Sequence, residues 1–313
     1  MKVAVQLVIK LYLKINSLMG VNKYTAISLS AGILFLTGLA GCQGDSGNLP
    51  AGGEVILQTR GDVLIGDTPG KVAADTVCFA KGERSNVYST VWKAEVRGGK
   101  TVLLERRYYP TDNSAVYLRG YSPVAAISNN LVGYEIDGRQ DICLTSEQVG
   151  RLSDMFWQES KCFSFAHLLT QLRFRVQCDT EEILQLLSLQ VEGGRTQAVL
   201  DLSTGNLSFD GKPESIEVCQ GTLSFGFEPV PVPGAVMVEA GVPLLLTLKV
   251  VQAGGRSIVY EHLPVVFDET DKLSKAGTSY LLSVVLHRGG AISLSPLVGE
   301  WQRGANGIGN IEE

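Results

Sequence analysis

The chain is poor in the side chains that most often carry chemistry. It has three histidines (His167, His262 and His287) and six cysteines among 313 residues. No two cysteines are spaced as CxxC and the histidines lie far apart, so the short ligand spacing of a structural zinc site is missing. The sequence also lacks the GxSxG, HExxH and Walker motifs, and a GxGxxG that opens a helix after a strand. These absences argue against an enzyme and against a metal centre.

Positive charge is also scarce. The chain has 27 lysines and arginines against 32 acidic residues, and residues 1–41 contain four of the lysines and no acid. A chain that begins at Cys42 therefore keeps 23 basic and 32 acidic residues, a net charge of −9. Nucleic-acid-binding proteins usually present a basic surface, so nucleic acid is not an expected partner.

The sequence Leu39-Ala40-Gly41-Cys42 lies at the end of an apolar run over residues 26–40. Small residues directly before a cysteine, behind a basic segment and an apolar core, form a lipobox. We therefore expect residues 1–41 to be a lipoprotein signal peptide and Cys42 to become a lipid-modified N-terminus in the outer membrane.

Two details of the leader leave alternatives. Translation starts at Met1 or at Met19, because Met19, Lys23 and the run that follows make a complete signal of ordinary length. A transmembrane anchor is the other interpretation of the apolar run. Its shortness and its internal serine and glycine residues favour the signal peptide.

Five cysteines remain after Cys42 is assigned to lipid, and an odd number cannot all pair. Most are interpreted as buried thiols that act as small apolar groups. One disulfide, Cys162 with Cys178, is the alternative in an exported protein. The five are Cys78, Cys143, Cys162, Cys178 and Cys219.

Glycine is abundant, and its distribution predicts an all-β fold. The 35 glycines, many in pairs, separate segments rich in valine, leucine and isoleucine. Residues 42–53 are predicted to be a flexible tether because they are polar and rich in glycine. The 272 residues from Cys42 onward exceed the usual size of one domain, so we expect an N-terminal domain over 54–195 and a C-terminal domain over 196–313.

The clearest strand is Gln171–Cys178, where apolar and polar residues alternate over eight positions. Paired glycines predict hairpin turns at 98–99, 254–255 and 289–290. Further strands are predicted at Glu54–Thr59, Asn86–Val96, Thr101–Tyr108, Ala115–Arg119, Glu214–Cys219, Leu244–Gln252, Ser257–His262 and Ser279–His287.

Three local patterns depart from that regularity. Asp179 or Thr180, followed by acidic residues and then Ile183, Leu186 and Leu187, predicts a short N-capped helix. The proline-rich segment 229–234 predicts an edge strand or a linker, since proline cannot donate to a central ladder. His167 lies among apolar residues with no ligand-spaced neighbour, so it is interpreted as a packed, hydrogen-bonded structural histidine.

Several segments together resemble the fimbrillin family, the subunits of type V pili. The order of the features carries the resemblance, which spans most of the mature chain. After the lipobox come Tyr108-Tyr109-Pro110, then VYLRGYSP (Val116–Pro123), Gln140-Asp141-Ile142, the segment Phe163–Val176 with Phe165 and His167, the segment Ala276–Leu282 and finally Trp301.

The resemblance implies two tandem transthyretin-like (Ig-like) β-sandwich domains, with no cofactor and no catalysis. It also implies assembly by donor-strand exchange: a lipoprotein is exported, cut after a basic residue and stripped of its first strand, and a strand of another subunit fills the groove. In this chain the lost strand would be Glu54–Thr59 and the cut would follow Arg60.

We therefore expect a structural or accessory subunit of a surface fimbria that has a role in adhesion. Its expected partners are other fimbrial subunits, the outer membrane through the lipid on Cys42, and ligands on host or bacterial surfaces. The sequence does not separate stalk, tip and anchor subunits. The first alternative is a glycan-binding surface lipoprotein, which should carry exposed aromatic residues; the second is a lipid-anchored hydrolase.

Overall fold

The computed structural model describes residues 53–60, 75–97, 100–252 and 254–301. The signal peptide, Cys42 and the rest of the tether up to residue 52 lie outside this part of the chain. The described residues form nineteen β-strands and one 3-10 helix, Glu159–Lys161. No helix in these residues is long and apolar enough to cross a membrane.

The strands are numbered by their order along the chain. They are β1 (Leu57–Arg60), β2 (Asp75–Gly82), β3 (Thr90–Arg97), β4 (Lys100–Leu103), β5 (Val116–Ser122), β6 (Ile127–Ser128), β7 (Leu131–Glu135), β8 (Cys143–Leu144), β9 (Gln148–Gly150), β10 (Phe163–Ser164), β11 (Ala166–His167), β12 (Thr170–Cys178), β13 (Leu184–Asp201), β14 (Leu207–Phe225), β15 (Val230–Val238), β16 (Leu244–Val251), β17 (Ser257–Val265), β18 (Ser279–Leu286) and β19 (Ile292–Gly299).

The first sheet has nine strands in the order β10-β1-β4-β3-β2-β5-β8-β11, with β9 also paired to β5. Its two ends are formed by β10 and β11, which are separated in the chain by Phe165 alone. The sheet must therefore curl until its ends meet at this segment. It encloses a core that includes Val77, Phe79, Leu118, Phe163 and Phe165.

Two further sheets pack face to face. One has the order β15-β12-β18-β19, and the other has the order β17-β16-β13-β7-β6, with β14 paired to β13. Residues from both sheets, such as Phe174, Val284, Leu186 and Leu246, share one cluster of buried side chains. Two sheets around a common core form a β-sandwich, and the all-β prediction is confirmed.

Strand β13 runs through the position that we predicted as a domain boundary. Its first part, up to Glu192, pairs with β16, and its last part, from Gln197, pairs with β7. Residues 195 and 196 are thus consecutive members of one strand of 18 residues. The division into domains at 195/196 stays a prediction.

Several local predictions agree with the structure. Strand β12 shows the expected alternation from Leu172 onward, with Leu172, Phe174 and Val176 buried and the residues between them partly exposed. Gln171 departs from it, because it is fully buried and accepts a hydrogen bond from the Ser279 hydroxyl. The glycine pairs 254–255 and 289–290 lie between antiparallel partners, β16 with β17 and β18 with β19. Residues 98–99 lie outside the described residues, but β3 and β4 on either side of them also pair antiparallel. The proline-rich segment falls largely within β15, which is an edge strand as predicted.

The helix predicted from Asp179 to Leu187 is wrong. Strand β13 begins at Leu184, with Leu184 and Leu186 buried. The residues paired with Leu186 are Leu223 of β14 and Val250 of β16. Backbone hydrogen bonds to two flanking strands and burial on the sheet face outweigh a weak capping pattern.

The alternative disulfide between Cys162 and Cys178 does not form. Cys178 is a buried free thiol whose Sγ lies 3.2 Å from the carbonyl oxygens of Thr180 and Glu182. Cys78 and Cys143 are also buried free thiols, as the interpretation of small apolar cysteines predicts.

Candidate functional site

Strand β1 is an internal strand of the first sheet although it has only four residues. On one side it pairs in parallel with β10, with Thr59 opposite Phe163. On the other side it pairs antiparallel with β4, with Leu57 opposite Thr101. Removal of β1 would therefore expose the backbone groups of two strands and separate β10 from the rest of the sheet.

Alternate side chains of this segment are buried. Val55, Leu57 and Thr59 are 3–5% exposed, whereas Ile56 is 40% exposed. Val55 and Leu57 join the core of the first sheet, and Thr59 is buried as well, because successive residues of an extended chain point to opposite faces. Without them, a row of three pockets would open along the groove.

Polar contacts also hold the segment in the groove. The Thr59 and Thr101 hydroxyls are 2.7 Å apart and both residues are buried. Gln58 Nε2 donates to the Trp157 carbonyl at 2.9 Å. The Val55 amide donates to the Arg107 carbonyl at 2.8 Å. These partners come from different parts of the chain, so the segment is held at Val55, Gln58 and Thr59.

Aromatic rings form the floor beneath the segment. Phe163 lies 5.0 Å from Phe79 and 5.7 Å from Phe156, measured between ring centroids, and Tyr109 stacks on Phe156 at 5.8 Å. The Phe156 amide donates to the Tyr109 hydroxyl at 2.6 Å. Burial raises the pKa of Tyr109 to about 12, so this phenol stays neutral. Loss of the segment would therefore uncover these aromatic rings.

Arg60, the predicted processing residue, is the last residue of β1. The segment that follows, 61–74, lies outside the described residues. The lipidation residue, Cys42, also lies outside them. The structure thus places the expected cut at the end of the strand that would be lost, while cleavage and lipidation stay predictions.

His167 has polar partners that the sequence spacing did not indicate. Its Nδ1 lies 2.9 Å from Asp141 Oδ1 and 3.5 Å from Cys143 Sγ, and its ring stacks on Trp301 at 3.6 Å. Burial, and next to it the Asp141 carboxylate, raises the pKa of the Cys143 thiol. The partners precede His167 by 24 and 26 residues, so only strand pairing could reveal them.

The tryptophans do not form the exposed platform that a glycan-binding lipoprotein should carry. Trp92 is buried, and Trp157 and Trp301 are half-buried. The Arg107 guanidinium lies over the Trp92 ring at 5.8 Å. The described part of the chain therefore gives the glycan-binding alternative no support from tryptophan.

Comparisons with known proteins give one family match and several structural matches. A family model described as fimbrillin-like matches residues 72–301. A candidate cell adhesion protein from Bacteroides uniformis is 17% identical, covering 80% of this chain and 100% of that chain, with a TM-score of 0.56. A fimbrial protein from Bacteroides vulgatus is 12% identical, covering 80% and 99%, with a TM-score of 0.53. No curated protein matches the sequence.

Proposed function

Because the chain belongs to the fimbrillin-like family, which has structural and adhesive rather than enzymatic roles, we propose that it is a structural or accessory subunit of a surface fimbria. Assembly then proceeds by donor-strand exchange. The chain is exported as a lipoprotein that carries its lipid on Cys42. Cleavage after Arg60 then removes β1. A strand of the next subunit takes the place of β1.

The position of β1 carries this proposal. The segment of Val55, Leu57 and Thr59 lies between two partner strands and is buried at alternate positions, so its departure leaves unpaired backbone groups and empty space. Each of these is costly in water, since buried polar groups need partners and apolar surface prefers burial. A strand with apolar residues at alternate positions, supplied by a second subunit, satisfies both needs.

The lipid on Cys42 has one of two roles in this scheme. In a stalk or tip subunit it is a temporary tether, discarded with the residues up to Arg60. In an anchor subunit it is the permanent attachment to the outer membrane, and β1 stays in place. The state of the N-terminus therefore separates an anchor subunit from the other two types.

The proposal is tested by N-terminal sequencing of protein sheared from the cell surface. Processed subunits should begin at Gly61. An Arg60→Ala variant should keep β1 and fail to form the multimers that survive electrophoresis without boiling. Arg139→Ala is the control, because Arg139 is exposed and lies outside the segment at β1.

Two results would count against it. Surface molecules that all retain a lipidated N-terminus would assign the chain to an anchor role, in which β1 is not exchanged. Multimers that form equally well from Arg60→Ala would remove processing at Arg60 from the scheme.

A further inference from the structure

Three potential metal ligands converge where β8 pairs with β11. Cys143 and His167 are directly opposite each other in this antiparallel pair. Asp141 precedes Cys143 by two residues, and its carboxylate lies on the same side as the thiol. In an antiparallel pair, opposite residues and residues two apart share a face. The pairing of β8 with β11 therefore brings the His167 imidazole nitrogen, the Cys143 sulfur and an Asp141 carboxylate oxygen close together.

The distances between the donor atoms fit a metal of ordinary size. Cys143 Sγ lies 3.5 Å from His167 Nδ1 and 3.3 Å from Asp141 Oδ1, and the last two atoms are 2.9 Å apart. Tetrahedral zinc with ordinary bond lengths requires roughly 3.4–3.6 Å between its ligand atoms. Movements of about half an ångström or less would therefore open the triangle enough to admit the ion.

The environment distinguishes this cluster from the other histidine–carboxylate pairs. Cys143 is fully buried, and the side chains of His167 and Asp141 are 12% and 24% exposed. Trp301 stacks on the imidazole. The pair of His287 with Asp179 has the same 2.9 Å contact but is more than a third exposed on both sides. Within the described residues, the cluster at His167 is the group in which three such donors meet.

We propose that Asp141, Cys143 and His167 bind one divalent transition-metal ion, with zinc the best match to a mixed nitrogen, sulfur and oxygen site. A water molecule completes the tetrahedron on the exposed side of Asp141. Zinc accepts this ligand set, and the thiolate favours it over magnesium or calcium. The ion would join β8 to β11 beneath Trp301. This site is independent of strand exchange at β1.

The test is a cobalt titration of the full-length chain without an affinity tag, purified in detergent. Co²⁺ reports a tetrahedral thiolate site by a charge-transfer band in the near ultraviolet and by intense visible bands. One equivalent should bind, Zn²⁺ should displace it, and tryptophan fluorescence should change through Trp301. Trp301→Phe should abolish that fluorescence change and keep the cobalt bands.

Three variants define the site. Cys143→Ser should remove the charge-transfer band. Asp141→Asn, which keeps the side-chain volume, should weaken binding by at least about 100-fold, since loss of an outer-shell partner alone weakens binding by about 10- to 100-fold. His287→Gln is the control. It removes a histidine that also pairs with an aspartate but is not part of the cluster with Cys143, so it should leave the titration unchanged.

Circular dichroism of each variant checks that it folds. Wild-type protein that shows no cobalt bands would overturn the proposal. So would a charge-transfer band that persists in Cys143→Ser, or an affinity that Asp141→Asn leaves unchanged while both variants are folded.

Discussion

Glu239 is a carboxylate that is 3% exposed, and Arg195 of β13 neutralises it. The Arg195 backbone amide donates to Glu239 Oε2 at 2.8 Å, and its guanidinium donates to both carboxylate oxygens. Arg195 also donates to the Phe209 carbonyl of β14 at 2.9 Å. One arginine therefore ties β13 to β14 and to the chain that follows β15.

Replacement of this carboxylate should destabilise the fold. Glu239→Gln keeps the shape but removes the charge, so we expect a loss of about 1.5–3 kcal/mol in the free energy of unfolding. Glu217→Gln on the exposed face of β14 is the control and should change it by less than about 0.5 kcal/mol. Urea denaturation followed by circular dichroism measures both. Equal effects would show that the ion pair adds nothing.

A second carboxylate, Asp201, makes stability depend on pH. It accepts hydrogen bonds from the Ser203 hydroxyl at 2.5 Å and from the Ser203 amide at 2.8 Å. The Ser203 hydroxyl bond is the largest cause that lowers the pKa of Asp201 below its ordinary value of 3.8. A depressed folded-state pKa stabilises the protein above the unfolded-state pKa and loses this effect as pH falls through the folded-state value.

We therefore expect wild type to be more stable than Asp201→Asn at pH values above 3.8, with a difference that shrinks as the pH is lowered further. Urea midpoints of both proteins across this range measure it. A constant difference between the two proteins at every pH would mean that the charge of Asp201 makes no contribution.

At the scale of elements, β1 and β12 differ in how far the local sequence predicts the bounds of each strand. The alternation in β12 is strong enough to predict the strand, because one of its faces is buried against the opposite sheet of the sandwich. The segment 54–59 was also predicted as a strand, but the ladder begins only at Leu57, while Glu54 forms an isolated bridge with Tyr108. The partners β4 and β10 set those limits, and neither is visible in the sequence of β1.

A disulfide that locks β1 in place should block assembly. Leu57 of β1 lies directly opposite Thr101 of β4 in the antiparallel pair, so Leu57→Cys with Thr101→Cys puts two thiols on one face of adjacent strands, within the separation that a disulfide spans. Oxidised protein should form no multimers even after cleavage at Arg60, and a reductant should restore them. Thr101→Cys alone is the control and should assemble under both conditions. Assembly of the oxidised double variant would mean that β1 is not the strand exchanged.

At the scale of the whole described chain, β13 is the connecting strand, because it pairs with β7, which precedes it, and with β14 and β16, which follow it. Tyr121, Val132 and Leu246 belong to the same cluster of buried side chains although they come from both sides of position 195. Cores that share strands and side chains unfold together. The continuity of β13 thus couples the two parts of the chain that the sequence divides at 195/196.

We expect a single cooperative unfolding transition as a result. Trp92 and Trp157 report on the first sheet by fluorescence, while far-ultraviolet circular dichroism reports on all strands. In urea the two signals should change at the same midpoint. Two separated midpoints would show that the predicted domains unfold independently in spite of β13.

The sequence by itself determined the all-β class, the position of β12, the three glycine hairpins and the family resemblance, because these depend on local alternation, turn chemistry and the order of segments. Only the tertiary structure decided that Leu184 starts a strand instead of continuing a helix, and that Asp141 and Cys143 meet His167. Strand pairing joins residues far apart in the chain, and its energy depends on partners that no local pattern contains.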